Sequence, residues 1–218
     1  MKGVPIATVL RKLRRLYQPP RSFLAHRNPF ELLVATILSA QCTDARVNII
    51  TKDLFRTYRT PRDFLLVPLV RIERNIRSCG HYHSKARYIR ETCRLLIERF
   101  AGRVPSTMEE LLALPGVGRK TASCVLHAAF DKHEGIAVDT HVIRLARRLG
   151  LTWRRDQKRI ELDLMRQVPR RDWGAINPLL ISHGRAVCTA RNRMCDRCLF
   201  HRECPSSRTQ GKNDRARM

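Results

Sequence analysis

Four cysteines near the C-terminal end, Cys188, Cys195, Cys198 and Cys204, fall in the pattern C-x6-C-x2-C-x5-C. Thiolates crowded into one short, loop-rich stretch hold soft metals, and four such ligands suit either zinc or an iron-sulfur cluster. Zinc sites commonly show two close pairs joined by a longer spacer, whereas here one C-x2-C has a lone cysteine on either side. Spacing by itself leaves both metals open. With no secretion signal, the crowding favours metal over disulfides. The other cysteines, Cys42, Cys79, Cys93 and Cys124, sit among apolar residues of helical period and read as small core or helix-end hydrophobes.

A second constellation is Leu114-Pro115-Gly116-Val117-Gly118-Arg119-Lys120-Thr121-Ala122, which follows one capped segment and opens another. It describes two helices joined by a tight glycine hairpin. The glycines permit left-handed backbone angles and let main-chain N–H groups approach a phosphate at the positive end of the second helix. Such a grip, with Arg119 beside it, positions a nucleic acid backbone without reading its sequence. Lys120 would sit in the first turn, where the helix dipole and Arg119 disfavour the ammonium form. A neutral amine there is a nucleophile, able to attack a sugar carbon, expel its base and form a Schiff base. A phosphate-contacting lysine is the alternative. Asp139, in Ile136-Ala137-Val138-Asp139-Thr140-His141, reads first as a helix cap. Within reach of Lys120, it would also take up a proton and stabilise positive charge developing on the sugar.

Helices must carry these groups. Asn28-Pro29 places a cap before a proline at the first helical position, and Phe30, Leu33, Val34, Ile37, Leu38 and Gln41 follow on one face. Thr60-Pro61 repeats the device. Ser84 opens a segment whose Ala86, Ile89, Cys93, Leu96 and Phe100 share a face until Gly102. Ser106 with Glu109 reads as a capping box before Leu111 and Leu112. Further helices are expected at about 117–130, 140–149, 156–168 and 173–184. No alternating strand longer than a few residues and no internal repeat is present, so the fold class is all-α.

The chain has 218 residues, 43 Lys and Arg against 19 Asp and Glu, and a formal charge of +24. A surface so positive repels itself unless a polyanion is present, and nucleic acid is the natural partner, held with a steep salt dependence. No apolar run approaches the roughly 18 residues needed to span a bilayer. The segment from Met1 to Tyr17 lacks the continuous apolar stretch of a signal peptide. A cytoplasmic, nucleoid-associated protein is expected.

Taken together, the hairpin with its lysine, Val138-Asp139-Thr140-His141, Leu38-Ser39-Ala40-Gln41-Cys42-Thr43-Asp44 and the C-terminal cysteines resemble the endonuclease III family of helix-hairpin-helix DNA glycosylases. The likeness runs from about residue 25 to Cys204. It implies a monomeric, bifunctional DNA N-glycosylase and abasic-site lyase acting on oxidised pyrimidines in duplex DNA. Lys120 would be the Schiff-base nucleophile, Asp139 its catalytic partner, and the four cysteines the ligands of a [4Fe-4S] cluster. The implied fold is two helical domains with DNA in the cleft between them. Residues 23–133 would form a six-helix domain with the helix-hairpin-helix at about 106–130. Residues 1–22 with 134–205 would form the cluster domain, and 206–218 a basic tail without fixed structure.

In family terms Gln41 enters the gap left by an extruded nucleotide, and Gly80-His81-Tyr82-His83-Ser84-Lys85-Ala86 matches a second inserting loop. There His81 replaces the usual apolar wedge, so preference for the lesion or the opposite base would differ. An adenine glycosylase of the superfamily would have a glutamate near Ile37 and lack the hairpin lysine, and mismatch thymine glycosylases typically replace that lysine. The aliphatic Ile37 and Lys120 count against the first, and Lys120 against the second. From another class, a non-catalytic helix-hairpin-helix module would keep hairpin and cluster for structure alone.

Overall fold

The computed structural model describes residues 3–208; the tail expected without fixed structure lies, from residue 209 onward, outside them. Among the described residues the regular structure is helical, with a single isolated bridge between Cys188 and Arg193 in place of any strand. The fold class is all-α. No described helix is long and apolar enough to cross a membrane. The chain divides into two compact units, a continuous one from Ser22 to Glu134 and a discontinuous one that joins the chain before Ser22 to the chain from Gly135 onward.

In the discontinuous unit, α1 (Ile6–Leu16) buries Val9, Leu10 and Leu13 and leaves its arginines outward. The continuous unit follows with α2 (Pro29–Leu38), α3 (Asp44–Thr57), α4 (Pro61–Leu65), α5 (Leu69–Asn75), α6 (Tyr82–Phe100), α7 (Met108–Leu112) and α8 (Arg119–Phe130). The chain then returns to the first unit as α9 (Thr140–Arg148), α10 (Gln157–Gln167) and α11 (Trp173–Ala186).

Every residue of α2 from Phe30 to Leu38 is buried, as an all-round apolar sequence requires of a central helix. It packs against α3, α6 and α8. Its start is fixed by Asn28, whose side chain accepts from Glu31 N at 2.9 Å. Glu31 is itself buried and accepts from Arg27 Nε at 2.9 Å, Arg27 Nη2 at 2.6 Å and the Arg27 backbone N–H at 2.8 Å. A carboxylate is tolerated there because its acceptors are filled and because it lies at the positive end of the helix dipole.

Two starts fall elsewhere than the side chains alone indicate. α7 is capped by Thr107, whose hydroxyl accepts from Glu110 N at 3.3 Å, one residue later than the Ser106–Glu109 box. Ser106 is occupied otherwise: Lys132 Nζ donates to its carbonyl at 2.7 Å and its hydroxyl at 2.8 Å. α6 starts at Tyr82 rather than Ser84, because a left-handed His81 (φ 57°) turns the chain directly into the helix, with Lys85 N donating to His81 O at 3.1 Å.

Because Glu31 is buried and its bonds to Arg27 are charge-assisted, Arg27→Ala should destabilise the protein more than loss of the neighbouring cap does. Asn28→Ala, which removes one neutral cap, should cost about 1 kcal/mol. Urea unfolding of both variants checks the order; an Arg27→Ala effect smaller than that of the cap would contradict the pairing.

Candidate functional site

In the continuous unit the hairpin between α7 and α8 is held by α6. Gly116 has φ 75°, and a Cβ there would lie 2.9 Å from the Tyr88 ring, so only glycine fits the turn against that ring. Thr92 Oγ1 donates to Pro115 O at 3.1 Å and pins the other side. Gly118 is different. Its backbone is extended (φ −91°, ψ 174°), a Cβ would meet nothing within 4 Å, and as N-cap of α8 it brings no side chain to the first-turn N–H groups. The expectation of left-handed glycines therefore holds at Gly116 and not at Gly118, where the missing side chain leaves space over the helix end. Gly116, Gly118 and Arg119 are exposed, and Lys120 is half-buried in the first turn of α8.

Gln41 and His81 are brought together. Both are exposed and left-handed (φ 52° and 57°), and His81 Nε2 lies 2.9 Å from Gln41 Oε1. Beneath them Lys85, buried, donates from Nζ to Leu38 O at 2.9 Å, tying the C-terminal end of α2 to the first turn of α6. Cys42 and Cys79 add a second tie, with sulfurs 3.7 Å apart. Burial lowers the Lys85 ammonium from its ordinary value, and burial with the Cys42 hydrogen bond pushes the Cys79 thiol up to about 11. Sequence reasoning missed Lys85 and Tyr88. Lys85 carried a faint signal, a cation immediately before the apolar face that begins at Ala86.

Asp139 lies in the discontinuous unit and caps α9: its Oδ1 accepts from Val142 N at 2.8 Å. The strand-like lead-in is fixed by side chains, Asn177 Nδ2 donating to Ala137 O at 2.8 Å and Gln157 Nε2 donating to Val138 O. Lys120 belongs to the other unit.

The four C-terminal cysteines, all half-buried and unbridged, line one cavity together with Leu145, Leu149, Arg148 and His183. Burial pushes the Cys198 thiol up to about 11, and the charges of Cys188, Cys204 and Cys195 add to it. Cys204 is raised for the same reasons, burial first and then Cys188 and Cys195. Thiols that oppose one another's ionisation in this way need a cation to become thiolates together, and that is what a metal centre provides. Around them, Arg148 Nη1 donates to Cys188 Sγ at 3.1 Å and to Thr189 O at 2.7 Å, and Phe200 N donates to Cys198 Sγ at 3.4 Å. Burial pushes His183 down to about 4, leaving it neutral. Tyr17 OH is hydrogen-bonded to His183 Nδ1 at 3.1 Å, and His183 Nε2 lies 3.5 Å from Cys198 Sγ. Arg185, Arg191, Arg197 and Arg202 are exposed around this loop, while Arg193 is half-buried and donates to Ser206 O.

An uncapped hairpin helix with a lysine in its first turn, set in an all-helical unit, defines a class. Residues 34–170 match the family described as HhH-GPD superfamily base excision DNA repair protein. Endonuclease III of Synechocystis sp. is 48% identical over 199 residues, covering 91% of each chain. That of Bacillus subtilis is 43% identical over 204 residues, covering 93% of each. The solved structure of a trapped endonuclease III–DNA covalent intermediate, an estranged-adenine complex, superposes with a TM-score of 0.88 at 43% identity, covering 96% of this chain and 97% of that one. The chain belongs to the endonuclease III family.

The two hairpin glycines should separate cleanly in stability. Gly116→Ala should cost more than the roughly 1–2 kcal/mol of a left-handed residue, because the new methyl meets the Tyr88 ring. Gly118→Ala should cost under about 1 kcal/mol. Equal thermal shifts for the two would contradict the assigned roles.

Proposed function

We propose that this chain works in base-excision repair as a bifunctional DNA N-glycosylase and abasic-site lyase, removing oxidised pyrimidines from duplex DNA at the nucleoid. The amine at the uncapped start of α8 carries the reading. The hairpin N–H groups and Arg119 hold a backbone phosphate. The damaged nucleotide leaves the stack, and Gln41 with His81 fills the gap. Their mutual hydrogen bond makes them one polar wedge, suited to the edges of the orphaned base.

Lys120 Nζ attacks the sugar C1′, the bond from C1′ to the base breaks, and the base departs with its bonding electrons and a proton. The C1′–O4′ bond then breaks, O4′ taking up a proton as the sugar opens, and C1′ becomes an imine that acidifies the neighbouring C2′ proton. Its removal expels the 3′ phosphate by β-elimination and breaks the strand. Asp139 supplies the carboxylate for proton transfer and for the charge that develops on the sugar. Its Oδ1 stays anchored on the N–H of Val142, so the group is oriented by the helix it caps.

Cys188, Cys195, Cys198 and Cys204 hold a [4Fe-4S] cluster. The donor set fits. The four thiols line one cavity, and the likeness to the endonuclease III family supports iron-sulfur over zinc for them. When bound, the cluster supplies a cross-link that fixes the arginine-rich loop for phosphate contact. Arg148 and His183 hold Cys188 and Cys198 for it.

Borohydride should trap the enzyme on duplex DNA bearing an abasic site or thymine glycol, and Lys120→Ala should abolish the adduct while keeping DNA binding. Normal binding with no adduct from the unaltered enzyme would instead indicate a non-catalytic module. Gly118→Ala should weaken binding to undamaged duplex without loss of fold. Anaerobically purified protein should be brown and contain iron, and Cys198→Ser should lose both; a colourless protein with stoichiometric zinc would overturn the cluster.

A further inference from the structure

We propose that His127, Asp131 and His133, at the far end of the helix that begins with Lys120, form a binding site for a divalent transition-metal cation of the zinc class. One donor atom from each lies within 4.8 Å of the others. Metal–nitrogen and metal–oxygen bonds near 2.0–2.2 Å place such atoms roughly 3–4 Å apart, so small rotations close the set. His127 is in the last turn of α8 and Asp131, four residues on, is its C-cap, so the two share a face. The left-handed backbone of Asp131 (φ 55°, ψ 29°) reverses the chain, with Lys132 N donating to Leu126 O at 3.0 Å. That reversal lays the His133 ring against the His127 ring, centroids 5.2 Å apart.

The returning segment is held on both sides of His133. Lys132 Nζ is engaged with the carbonyl and hydroxyl of Ser106, and Glu134 Oε2 accepts from Met108 N at 3.1 Å. The ligand set is therefore ordered before a metal arrives, which lowers the entropy cost of binding. Charge favours it locally, since the C-terminal end of a helix is negative and Asp131 adds a carboxylate. Two imidazoles and one carboxylate suit zinc, cobalt or nickel; calcium and magnesium prefer oxygen throughout. Both histidines are half-buried and Asp131 is exposed, so a cation can enter from solvent and retain water in its remaining position. Bound there, it braces the C-terminal end of α8 at the point where the chain leaves the continuous unit after Glu134. The site is separate in residues and in unit from the four C-terminal cysteines.

The test uses tag-free, iron-loaded protein equilibrated with zinc(II), passed through gel filtration and assayed for zinc and iron together. The expected result is one zinc per chain beyond the iron and a raised melting temperature. His127→Ala with His133→Ala should abolish both at unchanged iron content. Asp131→Asn keeps a residue that accepts the left-handed cap and removes only the charge. It should fold as the unaltered protein and retain less zinc. The proposal is overturned if the unaltered protein retains no zinc, if the histidine variant retains it fully, or if retention is lost instead on replacing Cys42 or Cys79 by serine.

Discussion

The first turn of α8 is left open while everything around it is clamped, and the working surface of the continuous unit depends on that contrast. Asn28, Thr43, Thr60, Thr107, Asp139 and Asp156 each satisfy the start of a helix with a side-chain oxygen. Gly118 does not, nor do the N-cap residues of α1, α5, α6 and α11; at Gly118 the missing side chain also leaves the space over the helix end open. Openness of this kind needs a rigid frame, because a free helix end frays. Here the frame is the ring of Tyr88 against Gly116, the Thr92 hydroxyl on Pro115, and Val117 buried behind them. α6 thus supports the hairpin with its middle and carries His81 at its start. One helix fixes both the hairpin proposed to hold a phosphate and one residue of the proposed wedge.

Much of this was legible in the sequence where the signals are local. Asn28-Pro29 and Thr60-Pro61 mark helix starts because a capping oxygen and a fixed proline φ act within three residues, and both caps form. Ser106 and Ser84 show where local signals fail. Ser106 is taken by Lys132, distant in sequence, and Ser84 is overridden by the left-handed turn at His81. The hydrogen bond between Gln41 and His81 spans 40 residues and leaves no pattern in either segment. Buried Lys85 is hidden for a related reason, since a lysine next to an apolar face ordinarily extends into solvent. Its partner, the carbonyl of Leu38, is exposed as an acceptor only because α2 ends there.

The cysteine loop repeats the theme with different chemistry. Spacing alone left zinc and iron open, since both use four thiolates. The fold supplies the groups that spacing could not: Arg148 on Cys188, and Tyr17 acting through a neutral His183 on Cys198. Tyr17 closes α1, so the N-terminal segment helps set the environment of a thiol more than 180 residues away. Its burial raises the phenol from its ordinary value, with Cys198 adding to the effect, which keeps it a hydrogen-bond donor. A strongly cationic chain favours this arrangement, because an anionic centre wrapped by arginines offsets part of the self-repulsion.

Asp139 and the cysteine loop are linked by a single short helix. α9 has nine residues; Asp139 caps its start, and Arg144 and Arg148 project from its later turns to the carbonyl of Cys188. Arg144 also reaches the carbonyl of Gly184 on α11, at 3.3 Å. A helix this short has little stability of its own. Its direction is set by what holds its ends: Asn177 and Gln157 at the lead-in, and the cysteine loop at the other. The cluster proposed for that loop would therefore bear on the proposed chemistry without touching the reacting atoms, by fixing the axis along which the capping carboxylate is presented. A closed, four-ligand metal centre would have this structural use in an enzyme whose proposed reaction needs only an amine and an acid.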